Sequence, residues 1–488
     1  MAPSRSLRSL VCLLASCCAR LATAIVEIQV KQHDEGCIHL PIIHSTNVRH
    51  FTEKRGVQLK LANRSDVAYY AQLSIGTPPQ PVFVQLDTGS FELWVNPDCT
   101  TVTGSDRAFC ERAGRFDSQL SSTLDSLGTT KELRYGIGSA NISYVTDTIS
   151  LAGSRTALQS VQFGIASASA DTFSGILGIG YGSGYTTRYP NFIDQLYAQN
   201  GTRVKAYTLA LGSKDAQEGI IVFGGVDTSK FAGGLVRLPV IPAAKSPDSV
   251  PRFWVDMLSI GISPPGGGAS RVYEGSNIPV FLDSGSTMTL LPAGLANAIA
   301  ADFGVAAPDA KGFYRIDCGF TRSGGTVDFK FQGVTVKVPY KEMIREVPGN
   351  PMACFLGIQP SEKFVLLGDT FLRSAYTVFD LENHNVWISQ AANCGSTPAA
   401  LNSAQDLPSV VGLCGNQVVG AVAGAGGSGS AAGSGSSTGG SADGSGGAGR
   451  APGTGVTGGV GRSSPGIIRT LGVAVVGVAV GSCGSLIW

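Results

Sequence analysis

Phe83-Val84-Gln85-Leu86-Asp87-Thr88-Gly89-Ser90 is echoed at Pro279-Val280-Phe281-Leu282-Asp283-Ser284-Gly285-Ser286. Each copy is a short apolar run that ends in Asp, a hydroxyl residue, Gly and Ser. Each is also followed downstream by an apolar-apolar-Gly element, Ile176-Leu177-Gly178 for the first and Leu366-Leu367-Gly368 for the second. Asp and Gly are common wherever a strand meets a turn. Turn chemistry does not demand the repeated hydroxyls or the matched glycines. Two related lobes of similar size account for both.

The chain around these copies consists of short apolar runs broken by Gly, Pro, Asn and Asp, such as residues 69–75, 220–223, 334–338 and 376–379. Frequent turn signals between short runs predict an all-β class. Helical stretches are few, with 191–199 and 293–303 the best candidates. Hydrophobic residues make up 43% and charged residues 15% of 488, enough apolar material for a large core. A net charge of +1 gives no electrostatic reason to expect a nucleic-acid partner.

The chemistry follows from the pair. Cleaving a peptide without a metal or a covalent nucleophile requires activating water and protonating the carbonyl or the leaving nitrogen. Two carboxylates about 3 Å apart cannot both ionise, so they share a proton and supply one base and one acid. Asp87 and Asp283 are therefore the candidate catalytic residues. Glycine after each Asp and hydroxyl residue permits the tight turn that brings the loops together. The hydroxyls of Thr88, Ser90, Ser284 and Ser286 are candidate donors to the carboxylates or to the opposite loop. No cofactor or metal is expected. Of five histidines, His33, His39, His44 and His50 precede the repeats, which leaves His384 for any Ser-His-Asp triad, and no His-Glu-x-x-His is present. The Gly-x-Ser-x-Gly at 435–439 is a product of local composition.

At these residues the chain resembles the pepsin-like aspartic proteases, over roughly residues 66–393. The resemblance implies a bilobal fold with the active-site cleft between two related β-rich lobes, protein and peptide substrates, and a monomer. Leu133-Arg134-Tyr135-Gly136-Ile137-Gly138-Ser139 is similar to the family's flap hairpin. By that resemblance Tyr135 closes over substrate, Gly136 and Ile137 meet its backbone, and the Trp94 ring nitrogen steadies Tyr135. Phe173 and Ile176 correspond to the wall of a subsite, and Gly89, Gly285, Ser286 and Thr287 to substrate contacts. Thr88, Ser90 and Ser284 correspond to supports of the dyad. Ser174 and Phe91 depart from the family pattern, which touches specificity. Retention of the fold without catalysis, as a surface binding protein, is the alternative.

Both ends carry processing signals. Arg5 and Arg8, an apolar stretch at 10–21 and Ala22-Thr23-Ala24 read as a signal peptide, 1–24. A pro-segment, 25–55, would end at Lys54-Arg55, a site for a kexin-like processing protease, and its four histidines are expected to gain charge and loosen it below about pH 6.5. The N-terminal lobe is then 56–245 and the C-terminal lobe 246–395. Residues 396–465 are expected to form a flexible spacer, Gly- and Ser-rich from 424 to 461. Residues 466–488 match a glycosylphosphatidylinositol attachment signal, an apolar tail barely long enough to span a membrane.

The expected route is secretory, to the cell surface on a lipid anchor in the plasma membrane, with the cell wall or release as further destinations. Eleven cysteines suit an oxidising compartment. Cys99 and Cys110 close a small loop, Cys318 and Cys354 a later one, and Cys394 and Cys414 offer a third pairing. Cys37 is left odd, and pairing stays open at this point. Cys318 and Cys354 sit where the family's C-lobe disulfide lies. The Cys99 to Cys110 loop and the tail resemble the fungal yapsin-like branch. Asn63, Asn141 and Asn200 head glycosylation sequons.

Overall fold

The computed structural model describes residues 36–44 and 68–415, the latter with short breaks at 97–98, 101–106, 108–109, 112–114, 152–155, 171–173, 217 and 348. The expected signal peptide, His33, His50, Lys54-Arg55, Asn63, Phe173 and everything from 416 onward lie outside the described residues. Among those described, no helix is long and apolar enough to cross a membrane.

The two copies of the repeat become the strands Gln80–Asp87 and Ile278–Leu282. Successive side chains of a strand face opposite ways. In the first strand Val82, Val84 and Leu86 are buried, while Phe83 and Gln85 on the other face are half-buried. Each strand then pairs in parallel with its downstream element, Asp87 opposite Gly178 in one lobe and Leu282 opposite Leu367 in the other. Parallel partners need a long crossover, which explains why the matched elements stand so far apart in the sequence.

A fourteen-stranded and an eight-stranded sheet carry the two lobes. The chain does not divide between them at one point. Strands Ala375–Asp380 and Asn385–Ala391 fall in the expected C-terminal lobe, 246–395, yet they pair with Ala206–Ala210 and Phe231–Pro239 in the larger sheet. The chain returns after the second lobe to complete the first sheet. The two expected helices form as Phe192–Ala198 and Ala293–Asp302.

The strand Ile38–His44 lies inside the expected pro-segment, between Glu218–Phe223 and Tyr69–Ile75, with Leu40 and Ile42 fully buried. It is part of the core. His39 Nε2 stands 3.7 Å from the buried Asp227 carboxylate.

The expected spacer also begins later than residue 396. Pro398–Ala400 pairs with Gly225–Asp227, and Val411–Leu413 pairs with Phe231–Pro239. Between them a short helix, Ala404–Ser409, is capped by Ser403. Leu401, Ala404 and Leu407 bury against Val226, Phe231 and Trp387, so this stretch has the apolar side chains that the Gly/Ser run lacks. Disulfides join Cys394 to Cys414, Cys99 to Cys110 and Cys318 to Cys354. Cys37 is buried and enters none of them.

Replacing Cys394 and Cys414 together with serine is expected to cost about 3 kcal/mol, the entropy of a closed loop of that size. A lower melting temperature and new proteolytic cuts within 396–415 are the expected readouts. An unchanged digestion pattern would mean that the two strands hold the segment unaided.

Candidate active site

The two strand ends deliver the same loop twice. Gly89 N–H donates to Asp87 Oδ1 at 2.8 Å, and Ser90 Oγ donates to Asp87 Oδ2. Gly285 N–H donates to Asp283 Oδ1 at 2.9 Å, and Ser286 Oγ donates to Asp283 Oδ2 at 2.9 Å. Each carboxylate thus receives one backbone and one hydroxyl donor from its own loop. Both aspartates are buried, and each carboxylate lies against the glycine of the opposite loop.

What holds them together is a reciprocal set of bonds between lobes. Thr88 Oγ1 donates to Leu282 C=O at 2.9 Å and accepts from Ser284 N–H at 2.9 Å. Ser284 Oγ donates to Leu86 C=O at 3.0 Å and accepts from Thr88 N–H at 3.1 Å. Both residues are fully buried, so no water competes for these groups. Gln85 adds a bond from its amide to Gly285 C=O at 3.1 Å.

The glycines are required by contact. A Cβ on Gly89 would lie 2.4 Å from Asp283 Oδ1, and one on Gly285 would lie 2.4 Å from Asp87 Oδ1. Each glycine backbone therefore packs on the carboxylate of the other lobe. Gly178 passes behind the first loop, against the backbone of Phe91 and Glu92, and Gly368 behind the second, against the carbonyls of Ser286 and Met288.

This crowding has an electrostatic result. Burial first, and the negative charge of Asp283 second, push the Asp87 carboxyl up to about 7, while the Ser90 hydroxyl pulls it down. The pair keeps a proton over a range in which an isolated aspartate has lost it.

The hairpin expected as the flap joins two paired strands, Asp125–Arg134 and Ser139–Leu151. Tyr135 follows the strand Asp125–Arg134, and its N–H closes the turn onto Gly138 C=O at 3.0 Å. Trp94 Nε1 donates to Tyr135 OH at 2.7 Å. Trp94 and Ile176 share a small core against which Tyr135 packs. Ile137 is 80% exposed at the tip, and Gly136 faces the Phe364 ring of the other lobe. Thr287 sits at the second loop, where its carbonyl accepts from Thr370 N–H at 3.1 Å. Phe173 lies outside the described residues. His384 meets the Tyr181 ring and the Tyr185 hydroxyl, at 3.1 Å for the latter.

The family model for eukaryotic aspartyl protease matches residues 68–391. The chain belongs to that family. A "Probable aspartic-type endopeptidase OPSB" of Arthroderma benhamiae is 31% identical over 405 residues, covering 77% of this chain and 81% of that protein. Candidapepsin-3 of Candida albicans is 33% identical over 360 residues, 71% of this chain and 84% of its own length. An aspartic proteinase from Irpex lacteus has the same fold, with a TM-score of 0.55 at 19% identity over 73% of this chain and 98% of its own. The protein is a hydrolase of the aspartic-type endopeptidase kind.

Four residues to which the sequence reading gave no role support the site. Glu92, buried beside the first loop, accepts from Lys131 Nζ at 2.6 Å and from the hydroxyls of Tyr144 and Tyr189, which ties the strands Asp125–Arg134 and Ser139–Leu151 to that loop. Arg373, also buried, donates to Glu342 at 2.9 Å. Next to it Asp369 donates its N–H to Ser286 C=O at 2.8 Å, and burial, only partly opposed by Arg373, raises its carboxyl well above the usual range. The fourth is Arg252, whose Nη1 donates to Gly89 C=O. Asp369 and Arg373 stand in a stretch that matches the family pattern, whereas Glu92 and Arg252 are ordinary in sequence and only their convergence from distant segments marks them.

The Ser90 bond gives a signed prediction. It lowers the Asp87 carboxyl, so Ser90→Ala raises it further and the protonated pair persists to higher pH. The alkaline limb of kcat/KM against pH should move up by about half a unit to one unit. A limb that stays in place or moves down would contradict the assignment of the titrating group.

Proposed function

We propose that Asp87 and Asp283 are the catalytic pair and that the protein cleaves peptide bonds within protein substrates in acid, at the cell surface. The observation that carries this reading is the meeting of two buried carboxyls on matched loops, with one of them shifted upward. One carboxylate takes a proton from water as its oxygen attacks the scissile carbonyl carbon. The other gives its proton to the carbonyl oxygen. Collapse of the tetrahedral species breaks the C–N bond and moves a proton to the leaving nitrogen. Tyr135, Gly136, Ile137 and Trp94 form the flap over the substrate. Ile176 and Phe173 wall a subsite, and Gly89, Gly285, Ser286 and Thr287 face the peptide. Thr88, Ser90 and Ser284 support the dyad.

The same reading has the chain enter the secretory route through 1–24 and lose 25–55 at Lys54-Arg55 to a kexin-like protease. It then sits as a monomer on a lipid anchor added near 466–488. Glycans at Asn63, Asn141 and Asn200 belong to it, and Asn141 and Asn200 are exposed. Secretion is in the name of one relative, Secreted aspartic protease 8 of Candida albicans, 33% identical over 347 residues. Membership of a yapsin-like branch rests on the Cys99–Cys110 loop and the tail.

A randomised peptide mixture, digested at several pH values, tests the reading with processed wild type, Asp87→Asn and Asp283→Asn. Cutting favoured by acid and reduced about a thousandfold or more in both variants is expected. Activity that survives either change would refute the pair. A wild type that cuts nothing would put the binding-protein alternative in its place. Release from intact cells by a phosphatidylinositol-specific phospholipase is expected for the anchor, and retention would point to a membrane span.

A further inference from the structure

Arg252 comes from the segment that leads into the buried Phe253 and Trp254, and its side chain is 19% exposed. Nε donates to Asp248 Oδ2 at 2.8 Å, and Nη1 donates to the carbonyl of Gly89. The guanidinium lies against two rings, 5.5 Å from the centre of Phe91 and 5.2 Å from that of Phe281. Cations held over aromatic faces in this way are stabilised in place.

The seat of this cation is itself fixed. Asp248 Oδ1 accepts from Val250 N–H at 3.0 Å and from the Trp254 indole N–H at 2.9 Å. The Trp254 ring packs edge-on against Phe281 with centroids 4.8 Å apart. Phe91, a departure from the family pattern, packs its ring against Gly180 and forms the other wall. A planar, permanently charged fork is thereby pinned between the lobes. It holds the carbonyl of Gly89, two residues from Asp87, and Gly89 is the glycine that packs on the Asp283 carboxylate.

One edge of the fork is unused. Nε and Nη1 have acceptors, whereas Nη2 has none among the described residues and is not sealed from solvent. Asp248 engages only the Nε side. An exposed guanidinium edge between apolar walls suits a carboxylate, and it repels an ammonium or a second guanidinium.

We infer that Arg252 is a specificity-determining residue, which receives an acidic side chain of the substrate on the Phe91–Phe281 side of the scissile bond. The inference rests on the protease reading above. It also speaks against a basic residue being preferred in that position.

The test uses peptide pairs that differ only by Glu or Gln, with the variable position scanned along the cleaved sequence and assayed at pH 5.5, where free Glu is ionised. Wild type is expected to prefer Glu at one position by about tenfold in kcat/KM, the size of a charge-assisted contact at a partly exposed site. The preference should fade as the pH drops below about 4 and the Glu is protonated. R252Q should bring the Glu/Gln ratio at that position to near one, and R252K, with a charge but no fork, should leave an intermediate ratio. R252E should reverse the ratio in favour of Gln. An equal ratio in wild type, R252Q and R252K, or no position with a Glu preference, would overturn the inference. If the wild type cut neither member of any pair, or if Asp87→Asn cut both as well as wild type, the protease reading itself would fail instead.

Discussion

The site depends on one constraint, a set of four hydrogen bonds beneath the two carboxylates, two exchanged between Thr88 and Ser284 and two given by their hydroxyls to the carbonyls of Leu282 and Leu86. Each residue uses its hydroxyl twice and its N–H once, and every partner is backbone or hydroxyl from the opposite lobe. Both are sealed from water, so a missing partner would leave a buried polar group unpaired at about 1–3 kcal/mol each. This arrangement sets the register of one lobe on the other. The glycines that follow, Gly89 and Gly285, can then pack on the opposing carboxylates at distances no side chain would allow. Proximity and burial together produce the upward shift of Asp87.

The rest of the fold serves this junction at several depths. The parallel partners Gly175–Gly178 and Leu366–Leu367 hold the strands that deliver each aspartate. Behind the second loop the buried Arg373 and Glu342 pair, and Asp369 bonds the loop backbone. A buried ion pair broken on one side costs several kcal/mol, which makes this a stiff backing. Above the dyad, Glu92 gathers Lys131, Tyr144 and Tyr189 and so fixes where the flap strands leave the cleft. The tip of that hairpin is exposed at Ile137.

Much of this was legible because the gene carries the motif twice. A single Asp-Thr-Gly means little, but the second copy and its downstream glycine pointed to two lobes and to Asp87 and Asp283 meeting. The flap partners Trp94 and Tyr135 were legible by resemblance, and their bond is present at 2.7 Å. What stayed hidden depends on contacts between distant segments. Composition suggests a spacer from 396, yet Leu401 and Leu407 are enough apolar surface to dock the chain up to 415. Ile38–His44 alternates as a strand should, but only its partners place it in the central sheet. Arg252 gave no signal because a lone arginine is normally a solvated surface group, and its meaning comes from Phe91 and Phe281 on either side.

The claim that the Thr88–Ser284 exchange sets the dyad is tested most directly by comparing Thr88→Val and Thr88→Ser for unfolding free energy and for kcat on one peptide. Valine keeps the shape and removes the hydroxyl, which leaves Ser284 N–H and Leu282 C=O without that partner. A loss of about 2–4 kcal/mol and of most of kcat is expected for valine, while serine stays within about 1 kcal/mol of wild type and cuts nearly as fast. A valine variant as stable and as active as wild type would contradict the account.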